Sequence, residues 1–188
     1  FNLEKNLKIK KKYLQSNLKF EEISLPNNFN LKNIFPKIND KILIKNNDVK
    51  INLEKNNWEI DGNGKILLQK NEDSISYKIM MKDQLIRFNG SVEIGKNPFI
   101  INLLNFQKNQ NAITKISFKG LKDLKDRWFL EYIKLFESEN RIIAKNINLS
   151  NDLKIRNLDY IQADYLDGQG QKNILNLSRD KKIYTLSG

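Results

Sequence analysis

The stretch Ile75-Ser76-Tyr77-Lys78-Ile79-Met80-Met81 decides the fold, because large apolar side chains alternate in it with small or charged ones, apart from Met80. Alternation with a period of two places one set of side chains on one face of a β-strand. The polar residues Lys82-Asp83-Gln84 follow, and the apolar run Leu85–Phe88 leads on to Gly90. This segment therefore predicts a β-hairpin with one apolar face.

Similar patterns recur on both sides of this hairpin and predict further strands. These lie at residues 7–13, 18–25 with a slip between Phe20 and Ile23, 41–45, 49–53, 57–60, 65–69, 92–94, 99–106, 128–136, 142–149, 153–157, 161–165, 173–178 and 182–186. Residues 27–39 are rich in Asn, so we expect a loop there with one helical turn at 31–35. The predicted fold is all-β: an elongated, curled antiparallel meander of repeated β-hairpins that forms a groove, with little helix.

Four glycine-terminated phrases support a repetitive architecture. They are Trp58–Gly62, Arg87–Gly90, Ser117–Gly120 and Tyr184–Gly188, and their glycines are separated by 28, 30 and 68 residues. A recurring spacing is typical of stacked units that bury their apolar faces against each other. We interpret each phrase as the end of a strand closed by glycine.

The two Asx-Gly segments are predicted to be tight turns. Asp61-Gly62-Asn63-Gly64 would join two strands, and Asp167-Gly168-Gln169-Gly170 would join another pair. Both could be mistaken for phosphate-binding or calcium-binding loops. A phosphate loop needs a following helix and an EF-hand loop needs further acidic ligands, and neither is indicated by the flanking sequence.

The domain organisation follows from the repetition. We predict a single repetitive β region over residues 1–188, with a candidate sub-boundary near residues 26–40. The chain begins at Phe1 and ends at Gly188 directly after strand-like residues, so we expect it to be part of a longer protein.

Residue composition excludes several kinds of catalytic site within this chain. There are no cysteines and no histidines, so serine–histidine and cysteine–histidine nucleophiles cannot be assembled from it. The acidic pairs Glu21–Glu22, Glu72–Asp73 and Asp159 with Asp164 could act as acid and base, but they lie in polar turns or on mixed faces. We predict a protein that is not an enzyme, with no catalytic residue, metal or cofactor.

The net charge of +11 has two interpretations. Lysines and aromatic rings interleave as they would in a protein that binds single-stranded nucleic acid. However, 28 Lys against 5 Arg, 28 Asn, and 25 Ile against 2 Val are what an AT-rich codon bias produces. We therefore expect no nucleic-acid partner, and the remaining charge could attract anionic lipid headgroups.

Several predicted strands are apolar on both faces, at 99–106, 128–136 and 142–149. In the second of these we expect Trp128, Leu130 and Tyr132 on one face and Phe129, Ile133 and Leu135 on the other. Such strands fit either the core of a sandwich or an open, curved sheet that holds acyl chains. Patterning alone favours the sandwich core.

The later part of the chain, over about residues 58–188, resembles the AsmA-like family of bacterial envelope proteins, of the YhdP and TamB type. The resemblance lies in short β-repeat phrases: Asn97–Lys108 with Ile116–Gly120, Trp128–Ile133, Ile147–Ile155, Leu158–Ile161, Asn173–Leu177 and Tyr184–Gly188. It implies a periplasmic β-groove that carries phospholipid between the inner and outer membranes, anchored in the inner membrane by an N-terminal segment. It also implies a passive mechanism without catalytic residues.

We therefore expect a segment of a lipid-conducting groove whose partners are phospholipid acyl chains and, through other parts of the protein, the two membranes. The alternatives are a non-catalytic periplasmic or surface β-scaffold and, less favoured, a basic nucleic-acid-binding module. The groove candidates are the apolar residues Ile75, Tyr77, Ile79, Met81, Phe99, Ile101, Leu103, Ile116, Phe118, Phe129, Ile133 and Leu135.

Overall fold

The computed structural model describes residues 13–27, 31–55, 57–125, 127–150, 154–181 and 183–188, and the backbone alone of residues 2–3 and 9–11. Parts of the predicted strands at 7–13, 153–157 and 182–186 lie outside the described residues. The described residues lie mostly in strands, with very little helix.

The strands follow each other along the chain with short connections. They are β1 (Asn2–Leu3), β2 (Ile9–Lys11), β3 (Tyr13–Pro26), β4 (Lys41–Glu54), β5 (Asn57–Leu67), β6 (Asp73–Lys82), β7 (Leu85–Ile94), β8 (Ile100–Ile101), β9 (Phe106–Gln107), β10 (Thr114–Lys122), β11 (Trp128–Glu137), β12 (Asn140–Leu149), β13 (Ile155–Asn157), β14 (Tyr160–Leu166), β15 (Lys172–Asp180) and β16 (Ile183–Ser187). A single 3-10 turn spans Asn102–Leu104.

Twelve strands form one antiparallel sheet that is not closed. Its order is β16-β15-β14-β12-β11-β10-β7-β6-β5-β4-β3, and β13 pairs with the part of β12 that β14 leaves free. β1 pairs with β2, and β8 pairs with β9, in two small separate sheets. The predicted all-β meander is thereby confirmed.

The predicted glycine-closed strand ends are wrong for three of the four phrases. β5 continues through Asp61–Gly64, β7 continues through Gly90, and β10 continues through Gly120. Glycine is tolerated inside these strands because neighbouring aromatic rings occupy the space above it, as described below. Only Gly188 directly follows a strand end.

The Asp167 turn, in contrast, is confirmed between β14 and β15. The Asp167 carboxylate accepts hydrogen bonds from the backbone N–H groups of Gln169 and Gln171, at 2.9 Å each. Gly170 has a φ of +79°, which favours glycine at this position. These hydrogen bonds hold the pKa of Asp167 below its usual value.

Bulges explain why the predicted alternation slips. β4 contains one residue more than β5 between Lys45 and Asp48, and Asn46 has a φ of +47°. Consequently 41–45 and 49–53 belong to one strand, and the slip in β3 between Phe20 and Ile23 lies opposite this bulge. A second register shift occurs in β11, around Glu131.

The core is concentrated at one end of the sheet. Two segments, residues 31–40 and 95–113, pack there against the sheet, and we call them together the cap. The cap contributes Phe35, Ile38, Phe99 and Phe106 to a cluster with sheet residues that include Ile66, Ile94, Leu135, Ile142 and Ala163. We call this the capped end of the sheet, and the opposite end, where β6 turns into β7, the open end.

The cap replaces the predicted strand at 99–106. Only Ile100–Ile101 and Phe106–Gln107 are extended, and the 3-10 turn lies between them. Phe99 packs edge-on against Phe35 and Phe106, with ring centroids 5.4 Å and 6.4 Å apart. In the other cap segment, the predicted single helical turn is present, since the Leu31 carbonyl accepts from the N–H groups of Ile34 and Phe35.

Candidate functional site

The strand register divides the main sheet into an apolar face and a polar face. Residues directly opposite each other in an antiparallel pair point to the same face, so the pairing can be followed from strand to strand. One such row runs Ile60, Ile79, Phe88, Gly120 and Leu130. The adjoining row on the opposite face begins with Asp61, Lys78, Asn89, Lys119 and Tyr132.

The apolar face extends across the whole sheet. It includes Leu18, Ile23, Ile44, Val49, Ile51, Trp58, Ile60, Ile75, Tyr77, Ile79, Met81, Ile86, Phe88, Val92, Ile116, Phe118, Trp128, Leu130, Ile133, Leu135, Ile147, Ile161, Leu175, Leu177 and Leu186.

Outside the capped end, most of this face is only partly buried, although Val49 and Ile147 are buried. Trp58, Ile79, Met81, Phe88 and Leu130 retain intermediate exposure. Extensive contacts between the described strands occur only between hydrogen-bonded neighbours, so none of these strands forms a second layer over the face. A partly exposed apolar surface of this extent is typical of a site of interaction.

Aromatic rings on the apolar face lie over glycines of adjacent strands. A Cβ atom on Gly90 would be 2.8 Å from Cζ of Phe118, and a Cβ atom on Gly120 would be 2.8 Å from Cζ of Phe88. The ring of Tyr77 covers Gly62 in the same way, and its hydroxyl accepts a 2.7 Å hydrogen bond from Nδ2 of Asn47 on β4. The glycines therefore make room for rings that lie flat along the face.

Buried polar side chains attach the cap to the sheet. Asp73 at the start of β6 is 3% exposed; it accepts hydrogen bonds from the Gly95 N–H at 2.9 Å and from Nδ2 of Asn97 at 2.6 Å. Glu137 at the end of β11 accepts from the Asn109 N–H at 3.1 Å and from the Thr114 hydroxyl. Each carboxylate thus holds one end of the 95–113 segment.

A buried lysine completes this polar network. Lys108 is 4% exposed and donates from Nζ to the carbonyl oxygen atoms of Asn109 and Ala112. Burial lowers the pKa of Lys108, and the nearby charges of Glu137 and Asp73 oppose this effect. These bonds serve the internal structure of the cap, so we assign the network to cap attachment.

The structure brings eight of the twelve predicted groove residues together on the apolar face. They are Ile75, Tyr77, Ile79, Met81, Ile116, Phe118, Ile133 and Leu135. Three others belong to the cap: Phe99 is buried, Ile101 is partly buried, and Leu103 is 88% exposed. Phe129 is opposite Leu121 and points to the polar face.

The predicted face assignment in β11 is wrong because of the bulge. The register changes between Lys119–Tyr132 and Gly120–Leu130, so the extra residue Glu131 shifts the alternation. Trp128 and Leu130 therefore share the apolar face with Ile133 and Leu135. Phe129 and Tyr132 share the polar face.

Sequence reasoning missed several residues of the apolar face, among them Trp58, Phe88, Trp128 and Leu130. Trp58 and Phe88 belong to the same alternating strands as predicted candidates, so their periodicity was a usable signal. Trp128 and Leu130 depend on the position of the bulge, and no residue type in β11 marks that position.

Members of the three acidic pairs form ion pairs or structural hydrogen bonds. Glu72 pairs with Lys45 at 3.4 Å, Asp159 pairs with Arg179 at 3.4 Å, and Asp164 pairs with Lys172 at 3.4 Å. Among the described residues, no group of three or more acidic side chains could hold a metal ion. The ion pairs of these carboxylates link neighbouring parts of the sheet surface.

The polar face carries lysines that are matched with carboxylates. Lys78 pairs with Glu59 at 3.0 Å, and Lys119 pairs with Glu131 at 2.6 Å, which raises the pKa of Lys119. Between them is a shallow hollow of about 390 Å³ that is lined mainly by serine, asparagine and lysine side chains. Positively and negatively charged side chains therefore alternate in this part of the polar face, and they do not form a continuous basic surface.

Comparisons with protein-family models, with curated proteins and with solved structures found no match to this chain. In the part of the chain that the structure describes, no helix has the length and apolar character needed to cross a membrane.

Proposed function

We propose that the chain is part of a lipid-conducting groove in which the apolar face holds phospholipid acyl chains. The observation that carries this proposal is the extent of that face, which continues from β3 to β16 and, among the described residues, is covered by the cap at one end. The headgroups would remain in water beyond the rim of the sheet.

The energetics favour an acyl chain as the occupant. Each methylene group removed from water contributes about 0.8 kcal/mol, so a chain of a dozen methylenes contributes on the order of 10 kcal/mol before entropy costs. The described part of the face is lined by aliphatic and aromatic groups in rows. This arrangement suits a flexible ligand that makes no directional contacts.

The sequence resemblance to AsmA-like envelope proteins supports the same proposal from different observations. From that resemblance we further propose a periplasmic location, a role in outer-membrane biogenesis and anchoring to the inner membrane through a segment outside this chain. The mechanism is then passive, because acyl chains move along the apolar face without any bond being made or broken.

Site-specific photo-crosslinking in cells tests the proposal. The photoreactive residue is placed at Ile79 or Leu130 on the apolar face, and at Lys78 or Phe129 on the polar face. Phe129 is the matched control for Leu130, because it is an apolar neighbour on the same strand that points the other way. We expect phospholipid adducts at Ile79 and Leu130 only, detected by mass spectrometry.

Other outcomes would favour the alternatives. Protein adducts at Ile79 and Leu130, without lipid, would indicate a scaffold whose apolar face is covered by another polypeptide. Lipid adducts of equal yield at Phe129 and Leu130 would mean nonspecific contact and would overturn the proposal. Nucleic-acid binding is disfavoured by the paired lysines of the polar face, since a lysine that is already paired with a carboxylate is less available to neutralise a phosphate.

A further inference from the structure

Two glycines of β5 make room for a polar contact on the apolar face. Gly62 and Gly64 lie on this face, where Gly62 is opposite Tyr77 and Gly64 is opposite Ile75. A Cβ atom on Gly62 would be 2.6 Å from the hydroxyl oxygen of Tyr77, and one on Gly64 would be 3.1 Å from Oδ1 of Asn47. The glycines therefore allow the Tyr77 ring and the Asn47 amide to meet over β5.

The Asn47 side chain is a buried polar group at the edge of this contact. The extra residue of the β4 bulge places Asn47 opposite Gly64, and Asn47 is 1% exposed. Its Nδ2 donates a 2.7 Å hydrogen bond to the Tyr77 hydroxyl, while its Oδ1 has no hydrogen-bond partner among the described residues. Leaving a buried amide oxygen unpaired costs stability, so this side chain requires an explanation beyond its own packing.

The Tyr77 hydroxyl retains a proton that it can donate. A phenolic hydroxyl is both a donor and an acceptor. This one accepts from Asn47, and within the described part of the chain no acceptor binds its proton. Tyr77 is partly exposed, and Ile75 and Ile79 flank it on the same face of β6. The hydroxyl is therefore a hydrogen-bond donor held at a fixed place within an apolar surface.

We propose that the Tyr77 hydroxyl donates to an ester carbonyl oxygen of a bound acyl lipid and that Asn47 is the residue that positions this hydroxyl. The inference rests on the proposed function and assigns a polar contact to the same face. The acyl chain itself makes no directional contact, whereas the ester group at its end can make one.

The surroundings of Tyr77 favour an uncharged acceptor. The residues opposite Tyr77 on the two neighbouring strands are Gly62 and Gly90, and those beside it along β6 are Ile75 and Ile79. These four positions supply no cation to balance a phosphate, and a charge placed there would lose its hydration. An ester carbonyl is uncharged and is joined directly to the acyl chain, so it can reach the hydroxyl while the chain stays on the apolar face.

A competition between two lipids tests this hydrogen bond. The protein, with a photoreactive residue at Ile79, is incubated with equal amounts of a diester phosphatidylcholine and its diether analogue, which has the same chains but no ester carbonyl. Mass spectrometry separates the two adducts. We expect the diester to be favoured by about two- to tenfold, the net contribution of one hydrogen bond. Tyr77→Phe keeps the ring over Gly62 and should give equal yields of the two adducts.

Two further variants separate positioning from structural support. Asn47→Leu should lower the preference for the diester, because the hydroxyl loses the donor that orients it; a merely structural role of Asn47 would change the total yield and not the ratio. Since Tyr77→Phe leaves the Asn47 amide without its acceptor, the double variant Asn47→Leu/Tyr77→Phe replaces both polar groups and should also give equal yields. Tyr132→Phe, which removes a hydroxyl from the polar face, is the control and should keep the preference.

The results distinguish this inference from the proposed function. Equal yields of the two lipids with the parent protein, or a preference that survives in Tyr77→Phe, would overturn the inference and leave lipid binding established. An unchanged ratio in Asn47→Leu would overturn the positioning role of Asn47. If neither lipid forms an adduct at Ile79, the proposed function and the inference both fail.

Discussion

At Gly120 a single missing side chain determines how two strands pack. A Cβ atom at this position would collide with the carbonyl oxygen of Phe129 and would be 2.8 Å from the ring of Phe88. The first of these groups is backbone, which cannot rotate away as the end of a side chain can. Gly90 and Gly62 have the same relation to Phe118 and Tyr77, so glycine and aromatic ring form a recurring unit of this sheet.

Gly120→Ala should therefore destabilise the protein by about 1–3 kcal/mol, the usual cost of forcing extra volume into a packed site. Urea unfolding at equilibrium measures this cost. The control is Gly95→Ala, because a Cβ atom at Gly95 would have no neighbour within 4 Å. If both variants unfold at the same urea concentration, the ring of Phe88 and the Phe129 carbonyl do not constrain this position.

At the level of strands, the sequence correctly predicted those features that depend only on residues close together along the chain. The hairpin of β6 and β7 follows its alternation, and the slip at Phe20 correctly indicated an irregularity. The bulge at Glu131 could not be predicted, because no residue type in β11 marks the place where this strand carries one residue more than β10. Gly62 inside β5 was predicted to lie in a turn, because the aromatic ring that packs over it, that of Tyr77, belongs to another strand.

The cap was missed for a related reason. Residues 95–113 contain enough apolar side chains to resemble a strand, but only short parts of them are extended, and the N–H groups of Gly95 and Asn109 donate to the carboxylates of Asp73 and Glu137. Such partners lie 22 and 28 residues away in sequence. Periodicity over a short window contains no information about them.

Glu137→Ala should loosen the cap without unfolding the sheet. The Asn109 N–H and the hydroxyl of Thr114, which is fully buried, would lose their acceptor, at a cost of about 1–3 kcal/mol. Hydrogen exchange followed by mass spectrometry should show faster exchange in residues 108–113. The control is Glu139→Ala, at an exposed turn position two residues away, which should change neither the stability nor the exchange rates of residues 108–113. Unchanged protection of Asn109 would mean that the carboxylate does not hold the cap.

The whole molecule has a stable end and an accessible end. Buried apolar side chains are concentrated where the cap meets the sheet, and towards the open end most of the same face remains partly exposed. Burial of apolar area provides most of the stability of a small protein. The capped end therefore provides most of the buried apolar area of the described residues, and the rest of the face contributes less.

The same substitution at the two ends should separate these roles. Ile94 is fully buried beneath the cap, so Ile94→Ala should cost about 2–5 kcal/mol in urea unfolding. Ile79 is partly exposed, so Ile79→Ala removes less buried area and should cost no more than about 1 kcal/mol. Under the proposed function, Ile79→Ala should nevertheless lower the yield of lipid adducts at a photoreactive residue placed at Leu130. Equal unfolding costs at Ile79 and Ile94 would mean that the open end is as well packed as the capped end, and the apolar face would then be an ordinary core.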